Sequence, residues 1–206
     1  MIHLVYAENR SLYQRELDRM FQLRHKVFVE KRQWRLNSVN GREVDEFDTD
    51  ETVYLLKIAP DGNIGGSMRF LPTTRPHLLS KALGETVIGE VPSGPEIWES
   101  SRGCVQNEMR GAKTFGEINV AMIEFALIWG IEAITFVLDT DLFPAAVAVG
   151  WDLRPLGLPV EMDGESYTAG ILRVTPETLK TVRRVTGLFA PQLYIDHPEN
   201  GVRRIA

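Results

Sequence analysis

A single cysteine, Cys104, leaves the chain no intrachain disulfide and no thiolate zinc cluster, and it fits a reducing compartment. No apolar run approaches the ~18 residues a membrane-spanning helix needs. The first ten residues, MIHLVYAENR, show no basic stretch followed by an apolar one, so no secretory signal is indicated. Basic excess is missing too. Lys and Arg number 23 against 28 Asp and Glu, for a net charge of −5, which argues against a nucleic-acid surface. No repeat, low-complexity tract or linker interrupts the 206 residues. The expectation is a cytoplasmic protein with neither nucleic acid nor membrane as partner.

What is present is ordinary globular material. Hydrophobic residues make up 44% and charged residues 25%, enough for a sizeable core, and one domain over 1–206 is the natural reading at this length. Ile2 to Tyr6 reads as a first strand. A helix follows, capped by Asn9 or Ser11 and running to about Phe28. Residues 30–50 are charged and aperiodic, a long loop with room for one helical turn. Thr52–Ala59 and Ile64–Leu71 flank Pro60-Asp61-Gly62-Asn63, the signature of an antiparallel hairpin. Gly65-Gly66 marks a bulge or close backbone approach. A short helix is expected over His77–Leu83, a fourth strand over Glu96–Val105 and a long helix over 113–130, ended by Gly130. Ala133–Leu138 is continuously apolar, so it reads as a central fifth strand. A helix at 141–149, a strand from Thr168 to Val174 and a helix from Pro176 complete the pattern, with an aromatic tail packed or frayed. This order describes a mixed sheet with helices on its faces.

Two stretches carry chemistry. In residues 24–48, Leu17, Phe21, Arg24 and Phe28 recur near helical spacing, so an apolar stripe includes an arginine. A buried guanidinium needs an anion, and Asp45 and Asp48 are the nearest carboxylates. Trp34 is a large ring in a charged loop. With Arg69, Glu99 and Arg102 these residues can form a pocket for a small zwitterion bearing a flat ring. The plain alternative is a salt-bridged structural arginine. In the strand EIWESSRGCV, Glu99 and Arg102 would point to opposite faces unless a β-bulge re-aims one of them. The turn QNEMRGAK before the long helix offers anion-binding geometry in principle.

The strings FQLRHKVF, GREVDEFDTD, GGSMRFLPTTRPHLL and ESSRGCV, with Arg24, Phe28, Trp34, Asp45, Asp48, Arg69, Glu99 and Arg102 in order, resemble the LuxI-type acyl-homoserine-lactone synthases. The resemblance spans about residues 1–174. Leu83 departs from the family's usual Phe, and the turn after the fourth strand departs from the usual pyrophosphate loop. The resemblance implies the GNAT-like acyltransferase fold, an α/β three-layer αβα arrangement whose mixed sheet splays between its fourth and fifth strands. It implies quorum-sensing signal synthesis from S-adenosyl-L-methionine and an acyl thioester, on coenzyme A or on acyl carrier protein, with no cofactor and no metal. Amide formation would precede lactonisation and release of methylthioadenosine. Glu99 is then the candidate base and Arg102 the residue that fixes it. Asp45 and Asp48 would hold Arg24 and Arg69 or offset the substrate's positive charges, while Phe28 and Trp34 cover it. Ser101, Met122, Phe125, Ile134 and Phe136 would meet the acyl group. Lys26, Lys31, Arg32 and Arg35, or Lys180, Arg183 and Arg184, are candidate docking cations. The alternatives are an ordinary N-acyltransferase using acyl-coenzyme A and another amine, or a degenerate binding module of the same fold.

Overall fold

The computed structural model describes residues 1–106 and 108–197, the side chains of 108–111 excepted. Strands β1 (Ile2–Val5), β4 (Val53–Ile58), β5 (Ile64–Pro72), β6 (Ile97–Val105), β7 (Ala133–Asp139), β8 (Leu153–Pro155), β10 (Glu165–Arg173) and β11 (Leu193–Ile195) form one sheet in the order β11-β1-β4-β5-β6-β7-β10-β8, with β9 (Val160–Met162) also on β10. The short strands β2 (Ser38–Val39) and β3 (Arg42–Glu43) make a separate ribbon. That ribbon stands in the loop where a helical turn had room, because Asn40 and Gly41 both take the positive φ of a tight hairpin.

Both faces of the sheet are covered, as the alternation in β4 requires. Val53 and Leu55 enter the larger core, while Tyr54 and Leu56 enter a second one. Helix α1 (Gln14–Arg24) packs Leu17, Met20 and Leu23 into the second core. Helices α3 (Glu108–Trp129) and α5 (Pro176–Thr186) cover the other face, and α2 (Leu78–Lys81) and α4 (Phe143–Ala148) are short. The long helix begins five residues before the expected Lys113. The QNEMRGAK turn includes Asn107, and its anion-binding role lies outside the described residues. Thr175 caps α5 by accepting from the Thr178 N–H at 3.1 Å, and Pro176 fills the first helical position.

The tail is held in place rather than frayed. β11 runs parallel to β1, and Glu124 of α3 accepts from the Gln192 and Leu193 N–H groups at 2.9 and 2.8 Å. The last long strand is Glu165–Arg173 rather than Thr168–Val174, with β8 and β9 paired to it. No described helix is long and apolar enough to cross a membrane.

Three irregularities shape one end of this frame. First, α1 does not stop at Phe28: it continues as a π-helical segment over His25–Lys31, closed by the Arg32 N–H on the Val27 carbonyl at 3.0 Å. Second, β6 carries the expected bulge. Ser67 faces Cys104 and Arg69 faces Ser101, so two residue steps on β5 match three on β6. The surplus falls at Arg102, whose φ of 52° lies in the left-handed region. Third, the fourth and fifth expected strands, β6 and β7, are parallel and pair only at Ile97↔Ala133, Trp98↔Ile134 and Glu99↔Thr135. Beyond Glu99 they part.

Candidate active site

Arg24, at the end of α1, has no exposed surface. Its Nη1 and Nη2 donate to the two oxygens of Asp48 at 2.8 and 2.9 Å, a bidentate fork, and its Nε donates to Glu43 at 2.6 Å. Asp48 also accepts from the Tyr54 hydroxyl at 2.8 Å and the Asp45 N–H at 2.9 Å. Arg69 of β5 donates from Nη1 to Asp45 at 2.5 Å, lies 3.1 Å from Asp48 and donates from Nε to Ser101 Oγ at 2.9 Å. The bulge turns Arg102 toward the same cluster. Its Nη2 donates to Asp45 at 2.9 Å and to Glu43 at 3.1 Å.

Three guanidinium groups thus meet three carboxylates, and the buried charge balances. Balance is needed, since an isolated ion in such a place costs several kcal/mol. Burial alone would raise the Asp48 carboxyl. Hydrogen bonds and charge from Arg24, with Arg69 behind, overcome that and hold it well below the usual carboxylate range. Burial likewise works against the Arg24 and Arg69 cations, and their carboxylate partners more than restore them. Arg69 keeps one buried N–H group, Nη2, with no acceptor among the described residues.

The π segment aims Phe28 at this cluster. Its ring stacks on Trp34 at 5.0 Å between centroids and 13° between planes, and Arg102 sits over its other side at 5.8 Å. Trp34 reaches across to β10, donating from Nε1 to Glu165 at 3.5 Å and meeting Tyr167 edge-on. Arg32 bridges in the same direction to Asp139 at the end of β7, 2.8 Å away. The loop therefore spans the mouth between the parting strands.

Glu99 belongs to the last paired position before the strands separate. It is buried, and its two oxygens accept the Leu78 and Leu79 N–H groups at 2.8 Å each. Burial raises its carboxyl above the usual range, opposed by those amides and by the charges of His77 and Arg69. Here the sequence expectation needs correction. Arg102 is bonded to Glu43 and Asp45, and the groups that fix Glu99 are the backbone amides of α2.

Of the acyl-binding candidates, Ser101 lies with Arg69. Met122, Phe125, Ile134 and Phe136 are at most 2% exposed in the larger core. Phe125 packs on Phe70, Trp98 and Trp129, and Phe136 on Phe143 and Trp151. They stand on the opposite face from Ser101, and the two faces meet where β6 and β7 part. Among the candidate docking cations, Arg32 pairs with Asp139, Lys180 with Glu177 and Arg183 with Glu124. Cys104 is a buried packing thiol, pushed up to about 11 by burial, beside Ser67. Sequence reasoning missed Glu43, which is fully buried and binds two of the three arginines. A signal was available: in the extended run Glu43-Val44-Asp45, alternate residues share a side.

Comparison with known proteins converges on this geometry. A family model described as autoinducer synthase matches residues 8–182. The chain is 35% identical over 190 residues to the isovaleryl-homoserine lactone synthase of Bradyrhizobium diazoefficiens, covering 91% of this chain and 86% of that one. A solved coenzyme A-dependent acyl-homoserine lactone synthase, BjaI, with S-adenosylmethionine and isopentyl-CoA, superposes with a TM-score of 0.89 at 34% identity, covering 96% of this chain and 94% of that one. An acyl-CoA N-acyltransferase from Pseudomonas aeruginosa matches at TM-score 0.59 and 16% identity, over 84% of this chain and 98% of that one, and shares the fold alone.

Proposed function

The chain belongs to the autoinducer synthase family, and on that premise we propose that it joins S-adenosyl-L-methionine to the acyl group of a short branched acyl-coenzyme A, closes the homoserine lactone and releases methylthioadenosine. The reaction class follows from the family. The coenzyme A donor and the branched acyl group rest on the likeness to the isovaleryl and isopentyl-CoA synthases.

The observation that carries the site assignment is the balanced cluster of Arg24, Arg69 and Arg102 with Glu43, Asp45 and Asp48 at the mouth of the parted strands, where Arg69 still offers an unused buried N–H. A substrate carboxylate completes that donor, since a buried guanidinium N–H left unpaired is costly. Phe28 and Trp34 cover the sulfonium side, where a cation on an indole face gains ~0.5–2 kcal/mol. Glu99 takes a proton from the substrate ammonium, whose pKa near ~8 leaves the base modest work. The freed amine attacks the thioester carbon and the C–S bond breaks. The substrate carboxylate then displaces the sulfonium in line, a step governed by positioning because the leaving group departs neutral. The protein's own groups suffice for this reading, which uses S-adenosyl-L-methionine as substrate rather than cofactor.

The test is direct. Purified protein is given S-adenosyl-L-methionine and a panel of acyl-coenzyme A and acyl-carrier-protein thioesters, and products are read by mass spectrometry. The expected result is equal yields of methylthioadenosine and a branched short-chain acyl-homoserine lactone, fastest with the coenzyme A thioester. Acylation of another amine without methylthioadenosine would point to an ordinary N-acyltransferase instead.

A further inference from the structure

His77 is an unassigned residue beside Glu99. It immediately precedes Leu78 and Leu79, whose amides grip the two Glu99 oxygens. Its imidazole is 2% exposed. Nδ1 lies 2.8 Å from the Arg75 carbonyl, an acceptor, so Nδ1 carries the hydrogen and donates. The ring is thereby fixed in tautomer and orientation, leaving Nε2 as the free end. Nε2 is buried and has no partner among the described residues. The turn is braced further by Ser80, whose hydroxyl accepts the His77 N–H at 3.0 Å and donates to the His77 carbonyl at 2.9 Å.

A buried imidazole with a pinned Nδ1–H and an unused Nε2 is more than a helix cap. An apolar ring or an asparagine would cap this turn without burying a second polar atom. Its neighbour is a buried carboxylate whose oxygens already hold one amide each. The charged groups set around that carboxylate are Arg69 from β5, with Asp45 and Asp48 on its far side, and Arg102 on β6, which is occupied by Glu43 and Asp45. His77 is thus the titratable group closest in the chain to the amides that hold Glu99.

We propose that His77 is a positioning residue for the acylation step, acting through Glu99: the two form a buried acid–base pair, and the imidazole keeps Glu99 in its carboxylate form until the ammonium arrives. The proposal rests on the reading of Glu99 as base. When the amine attacks, the ammonium N–H bond breaks and an O–H bond forms on Glu99. The electron pair left on nitrogen forms the amide bond. The thiolate released by C–S cleavage takes the proton back from Glu99, so the pair returns to its starting state. A pair of this kind titrates as a unit. Without the imidazole, burial acts on Glu99 with less opposition, and the carboxylate form becomes scarcer at a given pH.

The experiment compares pH–rate profiles for acyl transfer by wild type, His77→Asn, His77→Phe and Glu99→Gln, using S-adenosyl-L-methionine and the best acyl thioester from the panel above. Asn retains an N–H for the Arg75 carbonyl, so it preserves the turn while losing the titrating ring. Both His77 variants are expected to move the acid limb of kcat upward by roughly one pH unit, as expected for loss of a nearby opposite charge. An acid limb that stays in place in His77→Asn overturns the proposal, whatever happens to the rate. Should His77→Phe fail to fold, the Asn variant decides alone. Glu99→Gln separates the two readings. If it retains wild-type turnover, Glu99 is not the base and the assignment in the previous section falls, His77 with it. If it is inactive while His77→Asn keeps the wild-type profile, only His77 is dismissed.

Discussion

Glu43→Gln removes one charge from the cluster and almost no volume. In the folded protein Glu43 is fully buried and accepts from Arg24 at 2.6 Å and from Arg102 at 3.1 Å. After the change, three guanidinium groups face two carboxylates, Asp45 and Asp48, and one buried positive charge is uncompensated. Breaking one partner of a buried ion pair costs about 3–5 kcal/mol. At about 2–4 °C per kcal/mol for a chain of this size, the melting temperature falls by roughly 6–20 °C. Guanidinium denaturation should show the same loss as a lower midpoint with an unchanged slope. The pocket suffers too, because Arg102 is left with Asp45 alone, so calorimetric affinity for S-adenosyl-L-methionine drops. Adding Arg102→Met removes the stranded charge, and the double variant should lose less stability than the two single changes summed. A melting temperature within about 2 °C of wild type, together with unchanged affinity, would refute the argument that Glu43 balances this cluster.

Three other outcomes are expected. The Asp48 carboxyl is held below the ordinary value of 3.8, so its stabilisation is present above that pH and lost as pH falls toward the folded value; acid-unfolding curves of Asp48→Asn should be flatter below about pH 4 than those of wild type. Trp34→Ala should weaken S-adenosyl-L-methionine binding by roughly 2- to 30-fold, the range set by ~0.5–2 kcal/mol of cation–ring attraction, with the acyl donor's affinity less affected; calorimetry on each ligand checks it. Glu124→Ala should cost about 3 kcal/mol and speed amide exchange at Leu193 while leaving kcat in place, because Glu124 anchors β11 far from the parted strands.

Much of this molecule was legible where chemistry is local. The hairpin around Pro60-Asp61-Gly62-Asn63, the Thr175-Pro176 helix start and the apolar β7 follow from turn, cap and burial rules. Arg24 was legible as a buried cation because it interrupts an apolar stripe, and the bulge in β6 because Glu99 and Arg102 otherwise diverge. What escaped depends on partners distant in sequence. Glu43 is needed only because Arg102 arrives from 59 residues away, and β11 exists only because β1 offers an edge and Glu124 two bonds. Arg102 was assigned to Glu99 on proximity in sequence, whereas the bulge that re-aims it also carries it toward Glu43 and leaves Glu99 to the amides of α2. No pattern in one strand announces that.

The π-helical segment at His25–Lys31 has a consequence for change in length. Such a segment is an α-helix carrying surplus backbone, and each α-helical residue turns the chain by about 100°. Deleting one residue here would let ordinary i to i−4 bonding re-form, and the local helix would gain regularity. Everything downstream, including Trp34 and Glu43, would swing about a quarter turn around the axis relative to Arg24. The stretch should accept changes of letter more readily than changes of count. A chain one residue shorter here would keep a good helix and lose the phase that brings an arginine, a tryptophan and a glutamate to the same place.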